Sequence, residues 1–189
     1  MPLLDHPGRS WQDRTGSHLL VALVERITGK RFGSVLQQRV LDPLGMHGTG
    51  FEHGDGEREG ERRSRLDLGP ERFVDGAAGL SSTIDDYWRV VTMLLAGGRY
   101  CETRWLLGST TVESMTTDHL SAAQRHAARP LLPEGCGWGH GVSVPAAGAP
   151  PTLVNGIGAS DRTGLTWRTD RRSGATAILL SHSNGSDGA

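Results

Sequence analysis

The sequence predicts an α+β fold in which helices come first and an antiparallel sheet follows. Two amphipathic helical patterns occupy residues 17–41, and a third helix begins near Ile84. After Pro133 the composition changes to Gly, Val, Trp and Thr, and segments near 137–145, 163–169 and 174–182 have the character of strands. Helices followed by an antiparallel meander are typical of the α+β class.

The first two helical patterns are expected to form a hairpin around Gly29. The first runs from Ser17 to Thr28, with Thr15 available as its N-cap, and its apolar residues recur at three- and four-residue spacing. These residues are Leu19, Leu20, Leu23, Val24 and Ile27. The second pattern carries Phe32, Val35, Leu36, Val40 and Leu41 on one face. We expect Pro43 to end it, because a proline disfavours helical geometry in the residue before it.

An exposed loop and then a well-capped helix are predicted next. Nine of the 17 residues at 54–70 are charged, so this stretch buries little apolar surface. The helix near Ile84 has Ser82 or Thr83 as its cap and two aspartates at the positive end of its dipole. Gly97-Gly98 supplies its stop signal.

Two capping-box patterns predict two short helices before the strands. Thr110-x-x-Glu113 places one helix near 111–117, and Ser121-x-x-Gln124 places the other near 122–128. A length of 189 residues suits one domain with a core of its own. We therefore expect a single domain, in which residues 1–135 are mainly helical and residues 136–189 hold the strands.

Composition excludes several classes of function. Twenty basic and 21 acidic residues leave a net charge of −1, which is too weak a field to predict binding to nucleic acid or a membrane. Cys101 and Cys136 are isolated from each other and from any metal-ligand pattern, so we predict free thiols, no metal and no cofactor. The N-terminus lacks a signal-peptide pattern, and no apolar stretch approaches about 18 residues, so the expected location is the cytoplasm.

A series of sequence blocks, each weak alone, occurs in a specific order. The blocks are Pro7-Gly8-x-x-Trp11, Glu25-Arg26-Ile27-Thr28-Gly29, Leu41-Asp42-Pro43-Leu44-Gly45-Met46, Gly79-Leu80-Ser81-Ser82-Thr83-x-Asp85-Asp86-Tyr87, Met115-Thr116-Thr117-Asp118-His119-Leu120, Gly137-Trp138-Gly139-x-Gly141-Val142 and Gly164-x-x-Trp167-x-x-Asp170. Together they resemble the serine β-lactamase-related family, which includes class C β-lactamases, D-alanyl-D-alanine carboxypeptidases and related esterases. The resemblance spans nearly the whole chain and corresponds to the C-terminal portion of the family's domain.

This resemblance implies an antiparallel sheet flanked by helices, with a mostly helical lobe and the active site between them. In the family, an N-terminal region supplies further sheet strands and the helix that carries the nucleophile. The fold is therefore expected to be a partial domain, incomplete at the N-terminus. Its strands would expose an apolar face and an unpaired edge, from which we expect marginal stability or association.

The resemblance also implies three catalytic motifs, and the sequence departs from each of them. Family enzymes use the serine of S-x-x-K as acyl nucleophile, a tyrosine of Y-x-N/S for proton transfer, and a K-T-G or W-x-G motif beside the reaction centre. The one lysine, Lys30, follows Ile27 by three positions, so no S-x-x-K occurs in these residues. Asp13 stands at the tyrosine position, and Ala159-Ser160-Asp161 stands at the third motif. A carboxylate with a reference pKa of about 3.9 is too weak a base to replace the phenol.

Other candidates for site residues carry weaker signals. Arg162 begins a near-match to the third motif, Arg162-Thr163-Gly164, and could hold a substrate carboxylate, but an arginine stays protonated and cannot act as a base. Ser81 and Ser82 precede a helix and are predicted to be structural. His119 and His140 are predicted to be ordinary polar or turn residues, because the histidines form no metal-ligand pattern.

The sequence therefore predicts a truncated or degenerate serine hydrolase that is inactive by itself. A first alternative is a non-catalytic remnant that binds a D-Ala peptide or another small molecule, or that pairs with an N-terminal fragment or with itself. A second is an esterase that uses an unrecognised serine.

Overall fold

The structure is a computed structural model that describes residues 6, 8, 11, 15–51, 74–77, 79–129, 131–151, 155–160 and 165–180. Its contacts divide the chain into two compact units, one formed by Gln12–Val90 and the other by Met1–Trp11 with Val91–Ala189. The segment 54–70, predicted as a charged loop, lies outside the described residues. Helices come first and an antiparallel sheet comes last, which confirms the predicted α+β class.

The unit formed by Gln12–Val90 opens with the predicted helical hairpin. Helix α1 spans Thr15–Thr28 and helix α2 spans Phe32–Leu36. Gly29 between them has a φ of +63°, a left-handed conformation that glycine adopts without strain. The carboxylate of Glu25 on α1 accepts a hydrogen bond of 2.8 Å from the Phe32 amide, which satisfies one of the free donors at the start of α2.

The second helical segment continues through Pro43 instead of ending before it. A π-helical turn, Gln37–Leu41, follows α2, and helix α3, Asp42–Leu44, follows that turn directly. Proline is tolerated in the first turn of a helix, and the wider π turn relieves the contact between its ring and the preceding carbonyls. Gly45, with a φ of +66°, ends the segment. The prediction that Pro43 ends the helix is therefore wrong.

A small apolar cluster forms the core of this unit. Its members are Val21, Phe51 and Val74, with Phe32 and Leu36 packed against them. The rings of Phe32 and Phe51 meet edge to face with centroids 6.1 Å apart. Strand β1, Gly50–Phe51, pairs antiparallel with strand β2, Leu80–Ser81. This pairing holds the backbone of Phe51, and with it one member of the cluster, in place.

Helix α4, Ile84–Leu95, begins where the sequence predicts. Thr83 is the cap, because its hydroxyl accepts a hydrogen bond of 3.2 Å from the Asp86 amide. The predicted stop is also confirmed: the Gly98 amide donates to the Met93 carbonyl at 2.9 Å, and Gly98 has a φ of +95°. A Cβ atom on Gly98 would lie 2.1 Å from the Leu107 carbonyl oxygen, so only glycine fits there.

A short hairpin and two short helices follow in the second unit. They are β3, Arg99–Cys101, β4, Arg104–Trp105, α5, Ser109–Met115, and α6, Ala122–Ala127. The capping box at Ser121 and Gln124 is present as predicted. The prediction of a capping box at Thr110 and Glu113 is wrong. Helix α5 begins earlier than predicted, at Ser109, and its N-cap residue is Gly108, which has an extended conformation and no side chain to form a cap. No helix among the described residues has the length and apolar composition needed to cross a membrane.

The chain ends in an antiparallel sheet whose five described strands lie in sequential order. They are β5, Cys136–Trp138, β6, Ser143–Pro145, β7, Gly156–Ser160, β8, Leu165–Asp170, and β9, Thr176–Leu180. The segment 137–145, predicted as one strand, is the hairpin β5–β6, which turns at Gly141 with a φ of +83°. The turn between β8 and β9 lies at 170–174 as predicted, whereas β7 was not predicted.

Asp118 fastens the segment before α6 to the first strand of this sheet. Its carboxylate accepts hydrogen bonds from the amides of Leu120, at 3.0 Å, and Trp138, at 3.2 Å, and it pairs with the guanidinium of Arg125. A Cβ atom on Gly137 would lie 2.2 Å from this carboxylate, so the close approach of β5 to Asp118 requires glycine at position 137. Asp118 therefore joins a loop, a helix and a strand.

Candidate active site

The position that the resemblance assigns to the third catalytic motif lies at the end of β7. Ala159 is paired with Trp167 of β8, and Ser160 is paired with Thr166. The Ser160 hydroxyl lies 3.0 Å from the Thr166 hydroxyl, so these two exposed side chains share a hydrogen bond across the strands. A methyl group and a hydroxyl occupied in this way supply neither the amine of K-T-G nor the indole of W-x-G.

The position of β7 beside β8 is fixed by close backbone packing. A Cβ atom on Gly158 would lie 2.2 Å from the Trp167 carbonyl oxygen, so this contact requires glycine. Trp167 is 2% exposed and Ile157 is 1% exposed, which anchors both strands in the core. The end of β7 is therefore a defined place in the fold, although its side chains do not match the family's chemistry.

The only lysine of the sequence has a local structural contact. Lys30 lies between α1 and α2, is exposed, and its ammonium group donates a hydrogen bond of 3.2 Å to the side-chain carbonyl of Gln38. This contact joins the turn after α1 to the π-helical turn that follows α2.

Three of the predicted site residues have no described geometry. Asp13, Asp161 and Arg162 lie outside the described residues. Their assignments, as the replaced tyrosine, as part of the third motif and as a contact for a substrate carboxylate, stay predictions.

The serines before α4 make contacts within the fold. Ser82 Oγ lies 2.7 Å from Thr49 Oγ1, and Thr49 Oγ1 also donates a hydrogen bond of 2.9 Å to a carboxylate oxygen of the buried Asp86. This chain of hydrogen bonds joins α4 to the segment before β1. Among the described partners of Ser82 there is no imidazole or amine that could remove its proton.

Two histidines that are far apart in sequence stack on each other. The rings of His119 and His140 have centroids 4.3 Å apart and an interplanar angle of 19°. His119 Nε2 lies 2.8 Å from the Ser114 carbonyl oxygen, so that nitrogen carries the proton. Parallel stacked rings do not direct their nitrogens to a common point, and the described residues contain no group of three or more metal-ligating side chains.

A cleft that the sequence analysis missed opens beside α6. Its volume is about 540 Å³, and basic side chains of Arg125, His126 and Arg129 contribute to its wall. Arg125 lies on α6, and Arg129 follows the C-cap residue of that helix, Ala128. Three basic side chains within five residues are the sequence signal that could have located the cleft. Arg125 is paired with Asp118, which offsets part of the positive charge.

Comparisons with known proteins agree with the geometry of the fold. The sequence model of the Beta-lactamase family matches residues 1–189. Protein Rv1367c of Mycobacterium tuberculosis is 32% identical over 207 residues, which cover 95% of this chain and 50% of that protein. Esterase EstB of Burkholderia gladioli is 24% identical over 215 residues, which cover 96% of this chain and 52% of the esterase. The chain therefore spans about half the length of these relatives.

A solved structure shares the fold. The octameric penicillin-binding protein homologue from Pyrococcus abyssi matches with a TM-score of 0.71 at 19% identity, over 96% of this chain and 41% of that one. Helices followed by an antiparallel sheet, the ordered sequence blocks and a family match over the full 189 residues all lead to the same assignment. The chain belongs to the serine β-lactamase-related family.

Proposed function

We propose that these 189 residues do not catalyse acyl transfer by themselves, although they belong to a family of hydrolases. The observation that supports the proposal is made at the end of β7, where the resemblance predicts the third motif. There the Ser160 hydroxyl lies 3.0 Å from the Thr166 hydroxyl, and Ala159 is paired with Trp167. A serine hydroxyl is a poor nucleophile unless a nearby base takes its proton. The sole lysine is exposed and bonded to Gln38, and no S-x-x-K is present.

Active-site labelling tests this proposal directly. The purified chain is incubated with a fluorophosphonate probe and, separately, with a chromogenic cephalosporin, and the esterase EstB serves as the labelling control. We expect no labelled serine and no turnover above that of the chain unfolded in urea. Specific labelling of one serine together with turnover would contradict the proposal, and Ser82→Ala and Ser160→Ala variants would then identify the nucleophile.

A second candidate function is to complement a polypeptide that supplies the rest of the family's domain. Two observations favour it: the relatives that match this chain have about twice its matched length, and large apolar side chains on α1 and β9 are exposed. In such a pairing the partner would contribute the nucleophile and this chain would contribute the sheet and the helices around it. Joint hydrolysis by the two polypeptides, with neither active alone, is the expected outcome.

The D-Ala-peptide alternative makes a different prediction. It requires that Arg162 or another retained group hold the substrate carboxylate without turnover. Calorimetry with acyl-D-Ala-D-Ala tests it, with an Arg162→Gln variant as the matched control. Saturable heat that the variant loses would favour this alternative, and no heat with the unaltered chain would remove it.

A further inference from the structure

Helix α1 turns its apolar stripe away from the core of its own unit. Leu19, Leu20, Leu23 and Ile27 are 68%, 60%, 50% and 74% exposed. At about 100° per residue these four positions fall within roughly one quarter of the helix circumference. Val21, on another side of the helix, is the one fully buried residue of α1 and joins the cluster with Phe51 and Val74.

This orientation reverses the usual arrangement of an amphipathic helix. A surface helix normally buries its wide apolar stripe and exposes its polar face. Here a single valine is buried, while the four larger side chains of the stripe are exposed. Contiguous exposed apolar surface on a soluble domain marks an interaction site or an association liability. The stripe carries no charged residue, so its partner must be apolar at the contact.

We infer that the α1 stripe is the docking surface for a polypeptide equivalent to the half of the β-lactamase-family domain that this chain does not match. The inference rests on the proposed complementation, and it names the surface and the residues that make it. The relatives match 95% and 96% of this chain with only 50% and 52% of their own length, so each contains about as much chain again. A polypeptide of about that length is the proposed occupant of the stripe.

A second copy of this chain is the weaker occupant. Strand β9 carries its own exposed side chains, Leu179 at 62% and Leu180 at 46%, and it belongs to the other unit. A two-fold interface uses the same patch on both copies, so a homodimer interface confined to the α1 stripe does not account for the exposed leucines of β9.

Co-expression tests the inference. The probe is the part of Rv1367c that this chain does not match, and the readouts are recovery of a complex and protection of α1 amides from hydrogen exchange. We expect a one-to-one complex with added protection over α1. In the Leu20→Ser, Leu23→Ser double variant the affinity should fall about tenfold or more, as when central apolar anchors of an interface are truncated. Leu131→Ser, at a leucine that is 45% exposed outside α1, is the matched control and should leave binding unchanged.

The alternatives have distinct outcomes. Because the substituted leucines are exposed, the denaturation midpoint of the double variant should match that of the unaltered chain. If the midpoint falls, a Leu19→Ser, Ile27→Ser variant replaces it in the binding measurement. A complex that the stripe variants leave intact would overturn the inference, as would the absence of any complex. A homodimer that the stripe variants abolish, and with which the probe does not compete, would replace the partner with a second copy. Catalytic silence of the chain alone is measured separately with the fluorophosphonate probe, so either proposal can fail without the other.

Discussion

Asp86 is a buried carboxylate whose bonds connect two segments of the Gln12–Val90 unit. It is 5% exposed, and one of its oxygens accepts hydrogen bonds from the Gly48 amide at 2.7 Å and from the Thr49 hydroxyl at 2.9 Å. The guanidinium of Arg89 lies 3.7 Å from the other oxygen. Asp86 thus has a structural task in addition to its place near the positive end of the α4 dipole.

Replacing Asp86 should therefore cost much more stability than replacing its neighbour. For Asp86→Ala we expect the free energy of unfolding to fall by about 2–4 kcal/mol, because the Gly48 and Thr49 donors lose their acceptor in a buried setting. Asp85→Ala is the matched control, since Asp85 is exposed in the same helical turn, and it should cost about 0.3–1 kcal/mol. Urea denaturation followed by circular dichroism measures both values. Equal losses in the two variants would show that the dipole, and not the buried network, sets the role of Asp86.

Asp170 organises the turn between β8 and β9 at the scale of an element. Its carboxylate accepts hydrogen bonds from the amides of Arg172, at 2.7 Å, and Ser173, at 2.9 Å. These amides, that of Ser173 first, hold the pKa of Asp170 below its ordinary value of 3.8. Gly174, with a φ of +72°, completes the turn by donating to the Asp170 carbonyl at 2.8 Å.

The stability that this carboxylate contributes should depend on pH in one direction. Because the pKa in the folded chain is lowered, the contribution is fully present above the unfolded value near 3.8 and is lost as the pH falls through the lower folded value. The difference in stability between the unaltered chain and Asp170→Asn should accordingly shrink as the pH falls from 6 toward 3. Denaturation at several pH values measures this difference, and Glu102→Gln, at an exposed carboxylate between β3 and β4, is the control. A difference that stays constant over the range would contradict the assignment.

Elements were predictable where local chemistry decides them. The cap at Thr83, the capping box at Ser121 and the glycine stop after α4 all follow from short-range hydrogen bonding, and the structure confirms them. The prediction that Pro43 ends the helix failed because the π turn before it is not specified by any local sequence pattern. Strand β7 was missed because Gly156, Gly158 and Ala159 have no strand preference of their own, and the strand forms through its neighbour β8.

The candidate site divides in the same way. The family resemblance, counted back from Trp167, predicts that Ala159 and Ser160 stand at the third-motif position. The hydrogen bond from Ser160 to Thr166 depends on the register between β7 and β8, which no local pattern in the sequence specifies. The contact between Lys30 and Gln38 likewise requires the turn at Gly29. The sequence thus indicates which residue types stand at the candidate positions, whereas the hydrogen-bond partners of Ser160 and Lys30 follow only from the fold.

At the scale of the whole molecule, the exposed apolar surfaces should make the isolated chain associate. In the described part of the chain β9 pairs with β8 on one side and with no strand on the other, and Leu179 beside this free edge is 62% exposed. Unpaired edges with large apolar side chains favour edge-to-edge pairing between copies, and a lysine at such an edge suppresses it. We therefore expect the apparent mass from light scattering to rise with protein concentration, and Leu179→Lys to reduce that rise more than Leu131→Lys, a control at an exposed leucine outside the sheet. A chain that stays monomeric at every concentration and melts cooperatively would contradict this expectation, because it would mean that the two units satisfy their own apolar surfaces.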